Sequence, residues 1–248
     1  MGEDKFVWPV VRPLPPGALR RWLAGGWADF AAAPGPGLFY GAILAGMGAL
    51  LTRHFGGAVG IALMTGFLLV GPFLAIGLYD LSRQREQGRR SSLVPSLTAW
   101  KENIAAISFY SVALTLMLAA WIRVSVVVVA LFFPGGRINW ASPDTWAFCA
   151  AYVLAGGALA LFVFATSSLS LPLLLDRRDM DVITAAIVSF TALRRNFRPM
   201  LAWAVFIVAA TALGFAAWFA PLVILLPLIG HMTWRAYRET IDPRPHAG

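Results

Sequence analysis

The feature that most limits how this chain can fold is a series of long segments without a charged side chain. Four such segments stand out: Gly57–Tyr79, Ile104–Ile122, Thr145–Leu175 and Pro199–Trp234. A helix of about 20 apolar residues crosses the hydrocarbon core of a bilayer, and the last segment is long enough for two crossings. Hydrophobic residues make up 59% of the chain and charged residues 13%, against about 25% charged in soluble domains. The chain is therefore predicted to be a polytopic membrane protein.

The basic residues are distributed unevenly over the loops. The net charge of +8 could by itself suggest a nucleic-acid partner. However, of the 20 Lys and Arg residues, Arg53 and Arg137 lie on one set of loops, Arg123 lies near a span end, and the other 17 lie on the alternate loops. This asymmetry is the positive-inside pattern. The predicted partner is the lipid bilayer with its anionic inner leaflet, no nucleic acid is expected, and both termini are predicted to be cytoplasmic.

The N-terminal segment and the cysteine content add two exclusions. The first 37 residues contain several arginines and prolines but no apolar core followed by a small-residue cleavage site, so a secretory signal peptide is not predicted. The single cysteine, Cys149, falls inside a predicted span. It excludes an internal disulfide and a cysteine-based metal cluster.

The apolar periodicity and the charge pattern together predict an all-α transmembrane helix bundle of about six spans. Residues 1–17 are predicted to be a flexible cytoplasmic arm, residues 18–240 a single transmembrane domain, and residues 241–248 a cytoplasmic tail. The spans are expected to form three hairpins, each preceded by an amphipathic helix on the cytoplasmic surface. These hairpins comprise residues 18–82, 91–175 and 180–238.

The connection between the first two hairpins carries the clearest amphipathic signal. A span is predicted to end at Tyr79–Asp80 in a basic turn that includes Arg83 and Arg85. Ser91–Ser92 would then cap a short surface helix. Its apolar positions have the spacing i, i+4, i+7 and i+11 of an amphipathic helix; they are Leu93, Leu97, Trp100 and Ile104.

The second hairpin contains a segment that is too long for one simple crossing. Ile104–Phe133 is interrupted only by Arg123 and would measure roughly 45 Å as a helix. The outer boundary is predicted near Trp121–Arg123, because arginine can snorkel and tryptophan favours the interface. Val126–Phe133 is expected to fold back along the outer surface. The returning span is predicted to begin at Pro143 or Asp144.

The third hairpin is predicted from the same two signals. A second surface helix should follow Asp176–Arg178, with Ile183, Ile187, Phe190, Leu193 and Phe197 on one side. Pro199–Trp234 is expected to form two helices that turn near Phe219–Pro221. A single kinked helix would instead place the arginines after it on the outer side, against the charge rule.

Laid over one another without gaps, the three segments that lead into the spans agree, which suggests an internal repeat. Offsets of 70 and 163 residues match Trp27 with Leu97 and Phe190, Phe30 with Trp100 and Leu193, Ala33 with Asn103 and Asn196, and Tyr40 with Tyr110 and Trp203. The returning spans match more loosely through three helix-breaking prolines: Pro72, Pro172 and Pro227. The alternative is that any membrane hairpin with an aromatic-rich approach has this appearance.

Several stretches together resemble a family of bacterial integral membrane proteins known only as a domain of unknown function. They are GFLLVGPFLAIGLYDLSRQ (residues 66–84), SLPLLLDRRDMDVITAAIVS (170–189), RNFRPML (195–201) and LPLIGHMTWRAYRE (226–239). The resemblance extends from about Trp22 to Glu239. It implies the bacterial cytoplasmic (inner) membrane and six spans, and it supplies no activity or catalytic residues.

Proteins similar to this family are sometimes labelled as resembling cytochrome c oxidase subunit I. Haem and copper centres need several imidazole ligands. Of the three histidines, only His231 lies in a predicted span, whereas His54 lies at an outer turn and His246 in the tail. No cofactor and no metal site is therefore predicted.

The candidate polar positions within the membrane are Thr166, Ser167, Ser168, Ser170 and His231. The hydroxyl cluster before Pro172 could line a polar path, but small hydroxyl residues also let helices pack closely and bond across them. The same packing interpretation applies to the Gly37/Gly41 and Gly56/Gly60 pairs. His231 could handle a proton or hold a ligand, or be a hydrogen-bonded structural residue. Asp80 and Asp176 could bind a cation, or they could pair with Arg83 and Arg177 or lie in water.

The sequence contains no glycine-rich phosphate loop, no paired carboxylates at a span centre and no nucleophile triad, so an enzyme is not predicted. The favoured function is a non-catalytic scaffold, assembly or accessory subunit of a membrane complex, with other membrane proteins as partners. The alternative is a small transporter or channel for an apolar or weakly polar solute, which the repeat, the prolines and the serine cluster favour.

Overall fold

The computed structural model describes residues 7–53, 57–133, 140 and 142–242, with side chains between residues 57 and 70 excepted. The regular elements within these ranges are helices and two short strands, which confirms the all-α prediction. His54, Arg137 and His246 lie outside the described residues, as does Gly56 of the Gly56/Gly60 pair. The elements in chain order are β1 (Val10–Val11), α1 (Ala18–Ala32), α2 (Pro34–Arg53), α3 (Gly57–Glu86), α4 (Leu93–Ser96), a 3-10 helix (Ala99–Asn103), α5 (Ile104–Phe132), α6 (Thr145–Ser167), α7 (Ser170–Asp176), α8 (Val182–Arg195), α9 (Phe197–Ala216), α10 (Leu222–Thr240) and β2 (Ile241–Asp242).

These elements form three units of the same plan. Each unit has a surface helix (α1, α4 with the 3-10 helix, or α8), an outgoing helix (α2, α5 or α9) and a returning helix (α3, α6 with α7, or α10). The residues matched by the repeat, Ala33, Asn103 and Asn196, each lie at the junction between a surface helix and an outgoing helix. Seven residues further on, Tyr40, Tyr110 and Trp203 are all buried.

Four helical segments of the described chain are long and apolar enough to cross a membrane. They are α2, α4 through α5, α6 through α7, and α9. The predicted number of six is thus not reached by length and composition alone. One reason is that α10 carries Arg235, Arg238 and Glu239 in its last two turns.

The prediction for the first connection was wrong in two respects. The α3 helix does not end at Asp80 but continues through Arg83 and Arg85 to Glu86, because buried polar contacts described below extend it. The predicted surface helix is only a four-residue α-helix followed by a 3-10 helix. The hydroxyl of Ser96 lies 2.9 Å from that of Tyr40 and turns Ser96 inward. Leu97, which was predicted to lie on the apolar face at the membrane interface, is exposed.

The prediction that the second hairpin folds back after Arg123 was also wrong. The α5 helix is continuous from Ile104 to Phe132, and neither glycine nor proline interrupts it. The α6 helix accompanies it to the outer end, where Tyr152 donates a hydrogen bond to Ser125 (3.2 Å). The ring of Phe132 also packs edge to face on that of Phe148. This shared packing keeps the segment helical.

The predicted helix pair in the third unit is confirmed. The α9 helix ends at Ala216 and α10 begins at Leu222. Trp218 and Phe219 between them have positive φ angles of 55° and 67°, the left-handed conformation that reverses a chain in a short distance.

Most buried residues lie at one end of the bundle, called the charged end because the surface helices and most charged side chains lie there. At this end the returning helix of each unit packs on the surface helix of the next: α3 on α4 and the 3-10 helix, α6 and α7 on α8, and α10 on α1. The three units therefore close into a ring. Away from this end most side chains are exposed. In the most apolar 18-residue stretch of each helical segment, 6% is buried in the segments that contain α5 and α6, against 22% in α2 and α9.

The terminal segments are attached to the charged end. Strands β1 and β2 pair antiparallel, with Val10 opposite Asp242 and Val11 opposite Ile241. Arg12 forms an ion pair with Asp242, and its amide donates to the carbonyl of Thr240 (2.8 Å). The described part of the predicted flexible arm is thus held against the predicted tail.

Candidate functional sites at the charged end and between the hairpins

The serine-rich segment lies at a break between α6 and α7, where it bonds to backbone groups. The hydroxyl of Ser170 donates to the carbonyl of Thr166 (2.6 Å) and lies 3.0 Å from that of Ala185 on α8. The hydroxyl of Ser168 lies 3.3 Å from that of Ser189, which also accepts from the amide of Leu169 (3.2 Å). These contacts join the returning helix of the second unit to α8.

Two further members of the cluster have different surroundings. The hydroxyl of Thr166 donates to the carbonyl of Phe162 on its own helix (2.9 Å), and the carbonyl of Thr166 accepts from Tyr110 of α5 (2.9 Å). Ser167 lines the apolar groove described below. The structure therefore places the four hydroxyl residues at a helix junction, where Thr166, Ser168 and Ser170 bond to neighbouring groups.

The three helix-breaking prolines lie in the three returning helices, and all are buried. Pro227 of α10 has no amide hydrogen, so the carbonyl of Val223, four residues earlier, receives no helical bond from it. Gly41 of α2 packs directly against this carbonyl, and a Cβ at Gly41 would also lie 2.9 Å from the Pro227 ring. The glycine thus permits close approach of α2 and α10, as the packing interpretation predicts.

His231 of α10 is buried, with 2% of its surface exposed. Its Nδ1 lies 2.7 Å from the hydroxyl of Ser82 on α3, and its ring is 6.4 Å from that of Phe30 on α1. Its Nε2 has no hydrogen-bond partner among the described residues. The histidine lies where three elements of two units meet, which fits a structural residue.

Asp29 of α1 is the centre of an ion-pair cluster that joins three helices, and its side chain is 1% exposed. Arg85 of α3 donates from Nη1 to Oδ1 of Asp29 (2.7 Å). Arg235 of α10 donates from Nε to Oδ2 (2.7 Å) and also bonds to Oδ1. Asp29 lies in the last turn of α1, just before α2 begins. Its ion pairs therefore hold the C-terminal ends of α3 and α10 beside the start of α2.

A second cluster joins the first and second units. Arg83 donates from Nε to Oδ1 of Asp80 (2.8 Å), and its Nη1 and Nη2 bond to the two carboxylate oxygens of Glu102 (3.0 and 2.6 Å). Gln84 donates to Oδ2 of Asp80 (2.6 Å) and accepts from the amide of Ser92 (2.8 Å). The predicted pairing of Asp80 with Arg83 is confirmed, and these bonds explain why α3 continues past Asp80.

A third cluster joins all three units. Asp176 accepts from the hydroxyl of Tyr237 (2.7 Å) and from Arg238 (3.2 Å). Arg238 also bonds to Glu86 (2.8 Å), which accepts from the indole of Trp234 (2.9 Å). Asp176 therefore bonds to side chains of α10, whereas Arg177 pairs with Asp179.

Two asparagines hold the junctions and were not identified as candidates from the sequence. The amide of Asn103 lies 3.2 Å from the carbonyl of Leu174 and 3.3 Å from that of Met180. Asn196 accepts from the amide of Leu14 (2.8 Å) and donates to the carbonyl of Arg12 (2.9 Å). The internal repeat matches these two asparagines with each other, and this match could have identified them from the sequence.

The start of α8 is fixed by Asp181, outside the long apolar helices. Its Oδ1 accepts from the amide of Thr184 (2.9 Å) and its Oδ2 from the hydroxyl of Thr184 (2.6 Å). These hydrogen bonds favour the ionised carboxylate and lower the pKa of Asp181. This is the helix-capping arrangement in which an aspartate satisfies a free amide.

An apolar groove of about 870 Å³ lies between α5, α6 and α9. It is lined by Leu114, Met117, Leu118, Trp121, Gly156, Leu159, Ala160, Leu161, Val163, Phe164, Ser167, Ala204, Ile207 and Val208. Its lining is almost entirely apolar. Within the described residues, no group of three or more His, Cys, Asp or Glu side chains could hold a metal ion.

Residues 60–176 match a family model described as "Predicted integral membrane protein (DUF2189)". The matched segment covers less than half of the chain, from the beginning of α3 to the end of α7. Together with the four apolar helices, this match decides the class of the protein. It is a multi-pass integral membrane protein. This is the kind of family that the sequence resemblance indicated, an integral membrane family of unknown function. The resemblance was expected to extend from about Trp22 to Glu239, but the match is shorter and covers only part of the first two units. Neither the curated proteins nor the solved structures contain a match to the chain.

Proposed function

We propose that this protein is a non-catalytic scaffold, assembly or accessory subunit that binds another membrane protein through the outer part of its second hairpin. The observation that carries this proposal is the length of α5. It has 29 residues, whereas the equivalent helices α2 and α9 have 20 each. At about 1.5 Å per residue, α5 measures about 43 Å and the other two about 30 Å.

The extra length is difficult to place in a bilayer. A hydrocarbon core of about 30 Å would require α5 to tilt by about 46°, beyond the 0–40° found for transmembrane helices. The extension is apolar and open: Val124, Val126, Val127 and Leu131 are between 41% and 73% exposed. An exposed apolar extension of this kind favours a protein partner that covers it.

Six spans, with the charged end in the cytoplasm of a bacterial cell, form part of the proposal. The bonds from Arg85 and Arg235 to Asp29 support it, because α3 and α10 then end at the level at which α2 begins. If α2 and α9 cross the bilayer, α3 and α10 cross back. The positive-inside rule orients the charged end toward the cytoplasm.

The anionic inner leaflet is the proposed lipid partner of the charged end. Arg194, Arg195 and Arg198, near the α8–α9 junction, are exposed. The neighbouring Ile187 and Phe190 are also exposed and apolar. A surface helix with this combination binds to an anionic bilayer surface.

The alternative, a small transporter or channel for an apolar or weakly polar solute, has less support. At the charged end α3, α7 and α10 pack against one another, and the hydroxyls of Ser168 and Ser170 are bonded to Ser189 and to backbone groups. A carrier would need a polar or open passage there. The scaffold proposal uses no such passage.

Site-specific photo-crosslinking in native membranes tests the proposed docking surface. A benzophenone amino acid at Val127 or Leu131 should give one discrete crosslinked protein, and the Val127→Asp variant should no longer co-purify with it. The control is the same probe at Val205 of α9, which is 60% exposed but lies on a helix of ordinary length. The absence of a protein adduct at Val127 and Leu131, or identical adducts at all three positions, would contradict the proposal.

A further inference from the structure

The apolar groove lies at one of three equivalent contacts in the ring. Each contact, called a seam, is the place where the returning helix of one unit meets the outgoing helix of the next. At the first seam α10 packs on α2, and at the second α3 packs on α5. At the third seam α6 and α9 instead face each other across the groove. The repeat thus shows which contact is open.

The depth of the groove corresponds to the interior of a bilayer. Along α6 it extends from Gly156 to Ser167, about 16 Å of helix. On α9 it is bounded by Ala204 and Val208, about 10 to 16 Å beyond the start of that helix. An occupant therefore has to come from the hydrocarbon region and enter sideways.

The size of the groove suits flexible apolar chains. Its volume of about 870 Å³ lies within the roughly 300–1,000 Å³ of small-molecule sites. Hydrocarbon chains can adapt to an irregular space of this size, and a partner helix in the seam is the competing occupant that the experiments below test.

We propose that the open seam between α6 and α9 is a binding site for the acyl chains of one membrane phospholipid. The chains lie against Met117, Ala160 and Ala204, one residue from each wall, and the single hydroxyl of the lining, Ser167, lies at the end nearer the charged end. The bound lipid fills the seam that the other two units close by direct helix contact. This site is separate from the extension proposed to bind a protein.

Lipid retention during purification tests this proposal. Wild-type protein purified in a mild detergent should retain about one phospholipid per chain, measured by lipid extraction and mass spectrometry. Filling the groove with Ala160→Phe or Ala204→Phe should lower that amount at least fivefold. Val153→Phe is the matched control, because Val153 is 69% exposed on α6 and does not line the groove; it should retain the lipid.

A phospholipid carrying a diazirine in its acyl chain provides a second measurement on the unsubstituted protein. Met117 lines the groove, whereas its neighbour Leu116 is 61% exposed on α5 and outside the groove. A lipid held in the groove should label Met117 more than Leu116, and the excess should disappear in Ala204→Phe. Labelling of Leu116 equal to or above that of Met117, or wild-type protein that retains no phospholipid, would overturn the proposal. With a benzophenone amino acid in place of Met117, a protein adduct would also overturn the proposal, because it would show that a partner helix occupies the seam.

Discussion

Replacement of Asp29 by alanine should be among the most destabilising single changes at the charged end. The aspartate is almost completely buried and bonds to both Arg85 and Arg235. Removal of one partner of a buried ion pair costs about 3–5 kcal/mol. Because the two arginine side chains are 38% and 34% exposed, water screens the charges left behind. We therefore expect a loss of about 2 kcal/mol, or about 4–8 °C in Tm for a chain of this size.

The measurement is thermal unfolding of purified protein in detergent, with Asp144→Ala as the control. Asp144 is exposed at the beginning of α6 and makes no side-chain capping bond, so its loss should change stability by about 0.5 kcal/mol or less. Arg85→Ala and Arg235→Ala should each couple to Asp29→Ala by about 0.5 kcal/mol or more in double-mutant cycles. Equal Tm values for Asp29→Ala and Asp144→Ala would refute the inference that this cluster holds α1, α3 and α10 together.

Three further predictions follow from particular contacts. Gly41→Ala should lower Tm sharply, because the new Cβ would overlap the carbonyl of Val223, whereas Gly46→Ala, with open space around it, should be neutral or stabilising by up to about 1 kcal/mol. Asp181→Ala should cost about 1 kcal/mol at pH 7. Because the folded pKa of Asp181 is lowered, that contribution is present above its unfolded pKa of about 3.9 and lost as the pH falls through the folded value, so the Tm difference should disappear in acid. The purified protein should show no Soret band, and a stoichiometric haem lost in His231→Ala would contradict this.

The apolar helices could be predicted from the sequence because their signal is local. Long uncharged segments with few interruptions specify membrane helices almost independently of their neighbours. The turn between α9 and α10 was predicted for a similar reason, since the charge rule decides between one helix and two. The continuous α5 was missed because its outer half is stabilised by Tyr152 and Phe148 of α6, and a tertiary contact leaves no local signature.

The polar clusters were predictable only where partners are close in sequence. Asp80 and Arg83 lie one helical turn apart, and their pairing was expected. Asp29 has partners that lie 56 and 206 positions away along the chain, and nothing in its own surroundings indicates either of them. The apolar groove is likewise a property of how α6 and α9 are placed relative to each other.

The most direct test of the account is the topology of the bundle, measured with single cysteines in a Cys149→Ser background and a membrane-impermeant thiol reagent. Cysteines at Arg53, Asp144 and Trp218 should react from outside intact cells. Cysteines at Arg20, Arg89, Arg195 and Asp242 should react only after the membrane is permeabilised. This pattern requires α3 and α10 to cross the bilayer together with the four apolar segments. Reaction of the Arg89 position from outside, or the inverse of the whole pattern, would contradict the six-span arrangement with the charged end in the cytoplasm.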